Sequence, residues 1–481
     1  MKAIPWFLVF LACAAPVALR ADALGMDTYL DQVRRGNDAL RGARAQDAAI
    51  ALQAKQPLTA YSPQLTGQFQ DSDTQEIPVG ATELNPIDTK SLSWDTNLST
   101  LLGTGTKVGL DYSGDNTDLL YSSAAQAALA QYSGFQGLLP PTGYVYGQQM
   151  SINITQPLWR NFMASEVEAG VAKARADSDA GRAANRYQAQ ALLYQSRQAY
   201  AQLVTLRQVA LILNESLRRN GKILDWTKTK YDENLADKVD VLQCEAALRQ
   251  VALNLAQNRE DEAKAVIAFN TLRGLTPTAA VEDLEPLVAP AALPAAKESR
   301  RDLEAAQAAL RSSDAVVADV EQQFTPDVSI FANLGEGERQ PEATEEMQGF
   351  RPDTVVGIKF SANLDVALYH QVLAGAQKAR GSGEAAVADK KRQLAQDWSQ
   401  LQTGFAGVQD RLALARELEG LQKEKAEREK TRYEDGRTTN FQVLRFEDDY
   451  NLSRVQTLQL TAQAVGLDAQ ARYYNGDDQP W

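Results

Sequence analysis

The chain has 481 residues, 49 basic against 62 acidic, and a net charge of −13, which opposes nucleic-acid binding because that needs a basic surface. Length alone allows two or three compact domains. Aromatics make up only 7% and long stretches lack Pro and Gly, a composition that points away from ordinary globules and towards extended helices.

The N-terminus has the form of an export signal over residues 1–23. Lys2 precedes an apolar run from Ile4 to Val17, and Ala21-Asp22-Ala23 supplies a small-x-small cleavage site. The run is too short to cross a membrane as a helix. Cys13 raises a lipoprotein alternative, but Phe10-Leu11-Ala12 fits a lipid-attachment box poorly and the signal would be unusually short. Cleavage after Ala23 leaves 47 basic and 61 acidic residues, a net −14. It also leaves Cys244 as the one thiol, so no internal disulfide forms; an amphipathic setting gives Cys244 the role of a small buried side chain. No later apolar run is long enough for a membrane helix, so an exported chain of this kind is either soluble or a β-barrel.

Residues 24–60 have a helical rhythm in Leu30, Val33, Leu40, Ile50 and Leu52, closed by Pro57 and Pro63. Short alternating segments follow. Leu65, Gly67 and Phe69 alternate with polar residues, as do Leu92, Trp94, Thr96 and Leu98, then Val108, Leu110 and Tyr112, with Gly103-Thr104-Gly105 as a tight turn. Ile152 and Ile154 mark a further strand that Pro157 ends. Residues 112–146, rich in Gly, Tyr and Ser, read as a mobile outer loop. A long helix runs from about 164 to 231, roughly 100 Å at 1.5 Å per residue. Leu206, Ala210, Leu213 and Leu217 step along it as a coiled-coil seam. A returning helix spans about 238–273, and Pro277, Pro286, Pro290 and Pro294 mark a linker over 276–298. Strands then recur at 327–334 and 356–362, followed by a second long helix with the seam Leu401, Phe405, Val408 and Leu412 and a returning helix over about 440–474. Alternation by itself divides evenly between a membrane wall and a half-buried soluble sheet.

The second half repeats the first. Gly170-Val-Ala-Lys-Ala-Arg recurs at Gly375-Ala-Gln-Lys-Ala-Arg, 205 positions on. Tyr231-Asp-Glu-Asn, with Val241-Leu242 beyond it, recurs at Tyr433-Glu-Asp-Gly with Val443-Leu444, at an offset of 202. Tyr61-Ser62-Pro63-Gln64-Leu65 is echoed by Phe324-Thr325-Pro326-Asp327-Val328, at an offset of 263. Two copies of one long unit constrain the fold more than any single motif. The copies differ by 58 extra positions inside the first strand pair, an insertion at about 71–147. The resulting organisation is a first repeat at 24–275, the linker at 276–298, a second repeat at 299–476 and a tail at 477–481.

No catalytic constellation stands out. The one histidine, His370, excludes a His-based metal cluster and is the only possible base for a Ser-His-Asp relay; a surface histidine is the plainer role. Gly103-Thr104-Gly105 and Gly335-Glu336-Gly337 lack the rest of a phosphate loop, and Asp448-Asp449 sits on a solvated charged face. The chain thus reads as a non-enzyme without cofactor or metal. What remains is shape. Four strands leave open edges, and a helix pair of this length leaves its seam exposed, so both call for a ring of chains.

The order of these elements resembles the TolC-like outer-membrane efflux family over about residues 24–476. The carriers are Tyr61-Ser62-Pro63-Gln64-Leu65, Ile154-Thr155-Gln156-Pro157-Leu158 before a long helix, and the paired turns, with Arg432-Tyr433-Glu434-Asp435-Gly436 and Val443-Leu444 especially typical. The resemblance implies a mixed α and β fold: a homotrimer whose twelve-stranded outer-membrane β-barrel is continued by a long periplasmic α-helical barrel, with two structural repeats per chain. It also implies a periplasmic adaptor and an inner-membrane transporter as partners, and outer-membrane lipid around the strands. Carried over, the adaptor-docking tips are Asn234, Leu235, Ala236, Gly436, Arg437 and Thr438, and the periplasmic gate involves Tyr231, Asp240, Tyr433 and Gln442.

Two departures stand out. Gln442 stands where some members carry an aspartate, and Arg445 where another acid can occur, which argues against a strongly acidic entrance. Asp237 and Asp240 offer a negative ring in a trimer, against helix capping as the alternative role. The extra hairpin at 92–112 either joins the wall or extends outside the cell, and the extension is the expectation adopted. The leading function is a passive exit duct of a tripartite efflux or type I secretion system, gated at the helix turns. The alternatives are a soluble periplasmic coiled-coil or adaptor-like protein, and an exported enzyme using His370.

Overall fold

The computed structural model describes residues 23–75, 86–123, 127, 143–297, 300–340 and 351–481. The export signal read at 1–23 therefore lies, apart from Ala23, outside the described residues. No described helix is long and apolar enough to cross a membrane. The chain divides into two units, one of residues 47–184 and 302–391, the other of residues up to 46, 185–301 and 392–481.

The first unit is built on a single sheet of six strands: β1 (Gln64–Gln75), β2 (Pro86–Leu101), β3 (Lys107–Tyr121), β4 (Gly143–Pro157), β5 (Asp327–Gln340) and β6 (Arg351–Ser361). Each strand pairs antiparallel with the next, in the order β1-β2-β3-β4-β5-β6. The hairpin expected at 92–112 lies inside this sheet, with β2 and β3 between β1 and β4. The loop expected over 112–146 is corrected at both ends, because β3 runs on to Tyr121 and β4 begins at Gly143. The stretch over 112–121 misleads because its alternation is diluted by Gly, Ser, Asp and Asn. Those residues gain their strand partners only from neighbours distant in sequence. Residues 124–126 and 128–142 of the expected loop lie outside the described residues.

Helix α2 (Asp38–Gln53) reaches this unit with Asp47, which pairs with Arg182 at 3.3 Å. Helix α5 (Arg301–Gln323), unremarked in the sequence, leads into β5, and its Asp314 holds Arg380 at 2.7 Å. Burial of Leu303, Ala308 and Val320 fixes its inner face.

The second unit is helical. It holds α1 (Met26–Gly36), the returning helices α4 (Lys238–Leu272) and α7 (Asn440–Asn475), the long helix α3 (Ser165–Asp232) from residue 185 onward and the long helix α6 (Val366–Glu434) from residue 392 onward. The two copies match in length: α3 and α6 have 68 and 69 residues, α4 and α7 have 35 and 36. The second-copy seam Leu401, Phe405, Val408 and Leu412 is buried throughout. In the first copy the buried stripe is shifted to Ile212, Ser216, Asn220, Leu224 and Thr227, and the expected residues Leu206, Ala210, Leu213 and Leu217 are only half-buried. Ser216 and Thr227 occupy seam positions there with partners on facing helices, Asn451 and Tyr433, whereas Asn220 Oδ1 is buried with no hydrogen-bond partner among the described residues.

The main core joins α1, α3 and α4. Tyr29 stacks on Phe269 at 4.2 Å between ring centres, both fully buried, and Tyr200 packs beside them. Burial pushes the Tyr29 phenol well above its ordinary range and the Tyr200 phenol up to about 12. The proline-rich segment over 276–297 forms neither helix nor regular strand and is held as a strap. The Leu24 amide donates to Asp283 at 2.7 Å, and the Tyr200 hydroxyl to the Leu24 carbonyl at 2.7 Å. Asn270 and Asn475 donate to the Ala279 and Ala295 carbonyls, each at 2.8 Å. Prolines suit such a strap because they give up donors that the helices could not satisfy.

Two predictions follow from this packing. Phe269→Ala removes the ring under Tyr29 and should cost about 3–5 kcal/mol; the thermal midpoint of the far-ultraviolet helical signal should drop sharply, and an unchanged midpoint would contradict the packing. Second, hydrogen bonds hold two carboxyls below the ordinary 4.5: Glu215 by Arg454, and Glu282 by the buried Arg273. Because the folded chain binds these protons less readily than the unfolded one, the stabilisation is complete above pH 4.5 and is lost as pH falls through the depressed values. The midpoint should decline on acidification below that point, and Glu282→Gln should flatten the decline.

Candidate functional site: sheet faces and helix turns

Paired residues in a sheet point to the same face, so strand register gives the chemistry of each side. One row crosses the sheet as Leu65, Leu98, Leu110, Ile152, Leu334 and Thr354. A neighbouring row on that face reads Thr100, Val108, Ile154, Ala332 and Val356. These apolar side chains are not covered: Leu65 is 72% exposed, Val356 66% and Leu334 48%. Further along the same face Phe69 pairs with Trp94 and Tyr112 with Met150. The opposite face is polar, with one row running Thr66, Asn97, Asp111, Ser151, Gly335 and Asp353. Asn97 donates to Asp111 across that row. The sheet thus presents an exposed apolar face backed by a polar one.

The helical unit carries the second region. Helices α3 and α6 both end in a left-handed residue, Asn234 with φ 57° and Gly436 with φ 72°. The hydrogen bonds that follow are equivalent. Asn234 N–H donates to Tyr231 and Leu235 N–H to Lys230; Gly436 N–H donates to Tyr433 and Arg437 N–H to Arg432. Both ends satisfy their last carbonyls with the doubled bonds of a Schellman turn, which needs a residue that tolerates positive φ. Asp237 is the N-cap of α4, and the Asp237 amide donates to Asp240 Oδ2 at 3.1 Å.

Behind the turns lies a small core of Ile223, Leu224, Val241, Cys244, Tyr433, Val443 and Leu444. The Tyr433 hydroxyl and Thr227 Oγ1 are 3.0 Å apart, and Lys230 Nζ sits 4.2 Å from the Tyr433 ring centre. Desolvation raises the Tyr433 phenol above its ordinary value. Asn440 donates to the Asp240 carbonyl at 3.2 Å and lies against Cys244. Further along, Arg219 donates to Glu447 at 2.6 Å and to Asn451 at 2.7 Å, while Asn451 donates to Ser216 at 3.0 Å. A polar ladder thus joins α3 to α7. Such a seam costs desolvation but specifies register, since any slip leaves buried donors unpaired.

Similarity to solved structures is extensive. The outer-membrane channel OprN matches with a TM-score of 0.70 at 18% identity, over 95% of this chain and 91% of that one. The chain has the fold of the TolC-like outer-membrane channels. The outer membrane protein VceC from Vibrio cholerae matches at TM-score 0.69 and 16% identity, over 94% and 96% of the two chains. The open state of the MtrE channel of Neisseria gonorrhoeae matches at 0.67 and 15%, over 94% and 88%. No protein-family profile matches the sequence, and no curated protein does at a significant level.

Within this TolC-like fold the expected site residues separate. Asn234, Leu235, Gly436 and Arg437 are exposed at the two turns, with Ala236 and Thr438 partly covered beside them. Tyr231 is 41% exposed, whereas Tyr433 is buried between helices. Gln442 is exposed and accepts a hydrogen bond from Thr438. Asp240 is engaged in the cap. His370 is exposed on α6 against Tyr369, and among the described residues no group of three or more His, Cys, Asp or Glu could hold a metal. Sequence reasoning missed Thr227, Asn440 and the ladder Ser216–Arg219–Glu447–Asn451. Its one trace is polar residues recurring at seam spacing on an otherwise apolar stripe. Thr227→Val leaves the buried Tyr433 hydroxyl without its partner and should cost about 1–3 kcal/mol locally. Amide exchange at Leu235 and Arg437 should quicken, and unchanged exchange would show that the hydroxyl pair does not hold the turns.

Proposed function

We propose that three copies of this chain form a passive outer-membrane exit duct of a tripartite efflux or type I secretion system, with no catalytic step of its own. One observation carries this reading: a six-stranded sheet, apolar on one face and polar on the other, whose edge strands β1 and β6 each pair on one side only. In hydrocarbon an open edge leaves backbone donors and acceptors unsatisfied at several kcal/mol each, so only a closed wall is stable there. One chain cannot close it, and a ring of identical chains can. The fold shared with outer-membrane channels supports the same conclusion.

In this reading the apolar face meets outer-membrane lipid and the polar face lines the bore. The turns at Asn234, Leu235, Ala236 and at Gly436, Arg437, Thr438 face the periplasm and receive an adaptor, which links the duct to an inner-membrane transporter. Leu235 and Val239, both 72% exposed, give that surface an apolar centre. Tyr231, Asp240, Tyr433 and Gln442 form the gate region, where Tyr433 and Asp240 act by holding the helices rather than by lining the bore. Opening requires contacts that differ between closed and open states, and the Tyr433–Thr227 pair is suited to that role. Nucleic acid has no place in this scheme, given the net −13 charge.

Cell fractionation tests the proposal. The chain should sediment with outer membranes, need detergent for extraction, migrate heat-modifiably on gels and appear as hollow trimers in electron micrographs. A monomer soluble without detergent would overturn it.

A further inference from the structure

We propose that the β2–β3 hairpin is a pair of extra wall strands, so that three copies close a barrel of eighteen strands, six from each chain, instead of the twelve that the sequence resemblance implies. The inference rests on the trimeric-duct reading.

Four observations carry it. First, the hairpin is spliced into the sheet along its whole length. β2 pairs with β1 from Gln64↔Ser99 to Gln75↔Asp88, and β3 with β4 from Lys107↔Thr155 to Leu119↔Gly143. With β2 and β3 in place, β1 and β4 have no pairing with each other. Second, the hairpin shares the two-faced chemistry of its neighbours. Leu98 and Leu110 continue the apolar row from Leu65 to Ile152, while Asn97 and Asp111 continue the polar row from Thr66 to Ser151. A strand pair standing in water outside the membrane has no need of that apolar row.

Third, the base of the hairpin is seated on the strand-to-helix junction. Gly105, at φ 80°, lies so close to the Asn161 carbonyl and the Ala164 amide that any side chain there would collide. Thr106 donates to Gln156, and Gln156 Nε2 to the Thr104 carbonyl at 3.4 Å. The turn therefore ends level with Pro157, where β4 itself ends. Fourth, a hairpin adds two strands, which preserves parity. In an even-numbered meander the first and last strands run oppositely, so β6 of one copy still meets β1 of the next antiparallel. A single added strand would have broken that closure.

The consequence is a wider bore. With strands about 4.8 Å apart and tilted about 40°, the wall measures roughly 36 Å across for eighteen strands and roughly 24 Å for twelve. Barrels of 16–18 strands leave an open aqueous channel. Size selection then falls to the helix turns, and the membrane wall admits bulky hydrated cargo.

The test uses the mature full-length chain in detergent. Native mass spectrometry should give three chains, and cryo-electron microscopy an eighteen-stranded ring. A twelve-stranded trimer with the hairpin outside would overturn this inference and leave the duct reading standing; an assembly without a ring would overturn both. Two double variants test the pairing in intact outer membranes: Thr66→Cys with Asn97→Cys, and Asp111→Cys with Ser151→Cys. In each, oxidation should block maleimide labelling of both thiols until reduction. A wall with β1 on β4 cannot satisfy both pairs, and free thiols in either variant would overturn the proposal.

Discussion

Backbone groups left unpaired at the edges of one sheet govern this protein. β1 and β6 each present a row of donors and acceptors with no strand partner among the described residues. Water could satisfy those rows; lipid cannot, and in the proposed duct the apolar skin formed by Leu65, Leu98, Leu110, Ile152 and Leu334 faces lipid. In the proposed duct, association of copies closes the wall, and the two-faced register matches lipid outside and solvent inside.

The helical unit meets a different constraint. Its long helices have an apolar stripe too narrow to settle register by itself. The polar ladder of Ser216, Arg219, Glu447 and Asn451 supplies the missing specificity, because each donor finds its acceptor at a single offset. The same logic recurs at the turns, where Thr227, Tyr433, Cys244 and Asn440 form a compact polar knot beneath an apolar cap. Bonds of this kind are individually worth about 1 kcal/mol and can be exchanged for water or for a partner, which suits the gating proposed for this region.

The two copies reach one geometry with different residues. Asn234 and Gly436 end their helices with equivalent hydrogen bonds, although one carries a side chain and the other none. What the repeat preserves is the backbone conformation, and the freedom to adopt positive φ is the property under constraint. The strap over 276–297 joins the copies by lending carbonyls to Asn270, Arg207, Gln409 and Asn475.

The sequence by itself determined the long helices, their breaks at Asn234 and Gly436, the duplication, and a resemblance that led to the right fold. These are legible because helix periodicity, proline placement and positive-φ residues act within a few positions along the chain. It did not determine the place of β2 and β3, the helix over Arg301–Gln323, the burial of Tyr433 beside Thr227, or the seam through Ser216 and Asn220. Each of those depends on a partner far away in sequence. A strand such as Lys107–Tyr121, half of it Gly, Ser, Asp, Asn and Thr, has no strong preference of its own and becomes a strand because β2 and β4 offer it a ladder. Local rules wrote the helices; only tertiary pairing could count the strands.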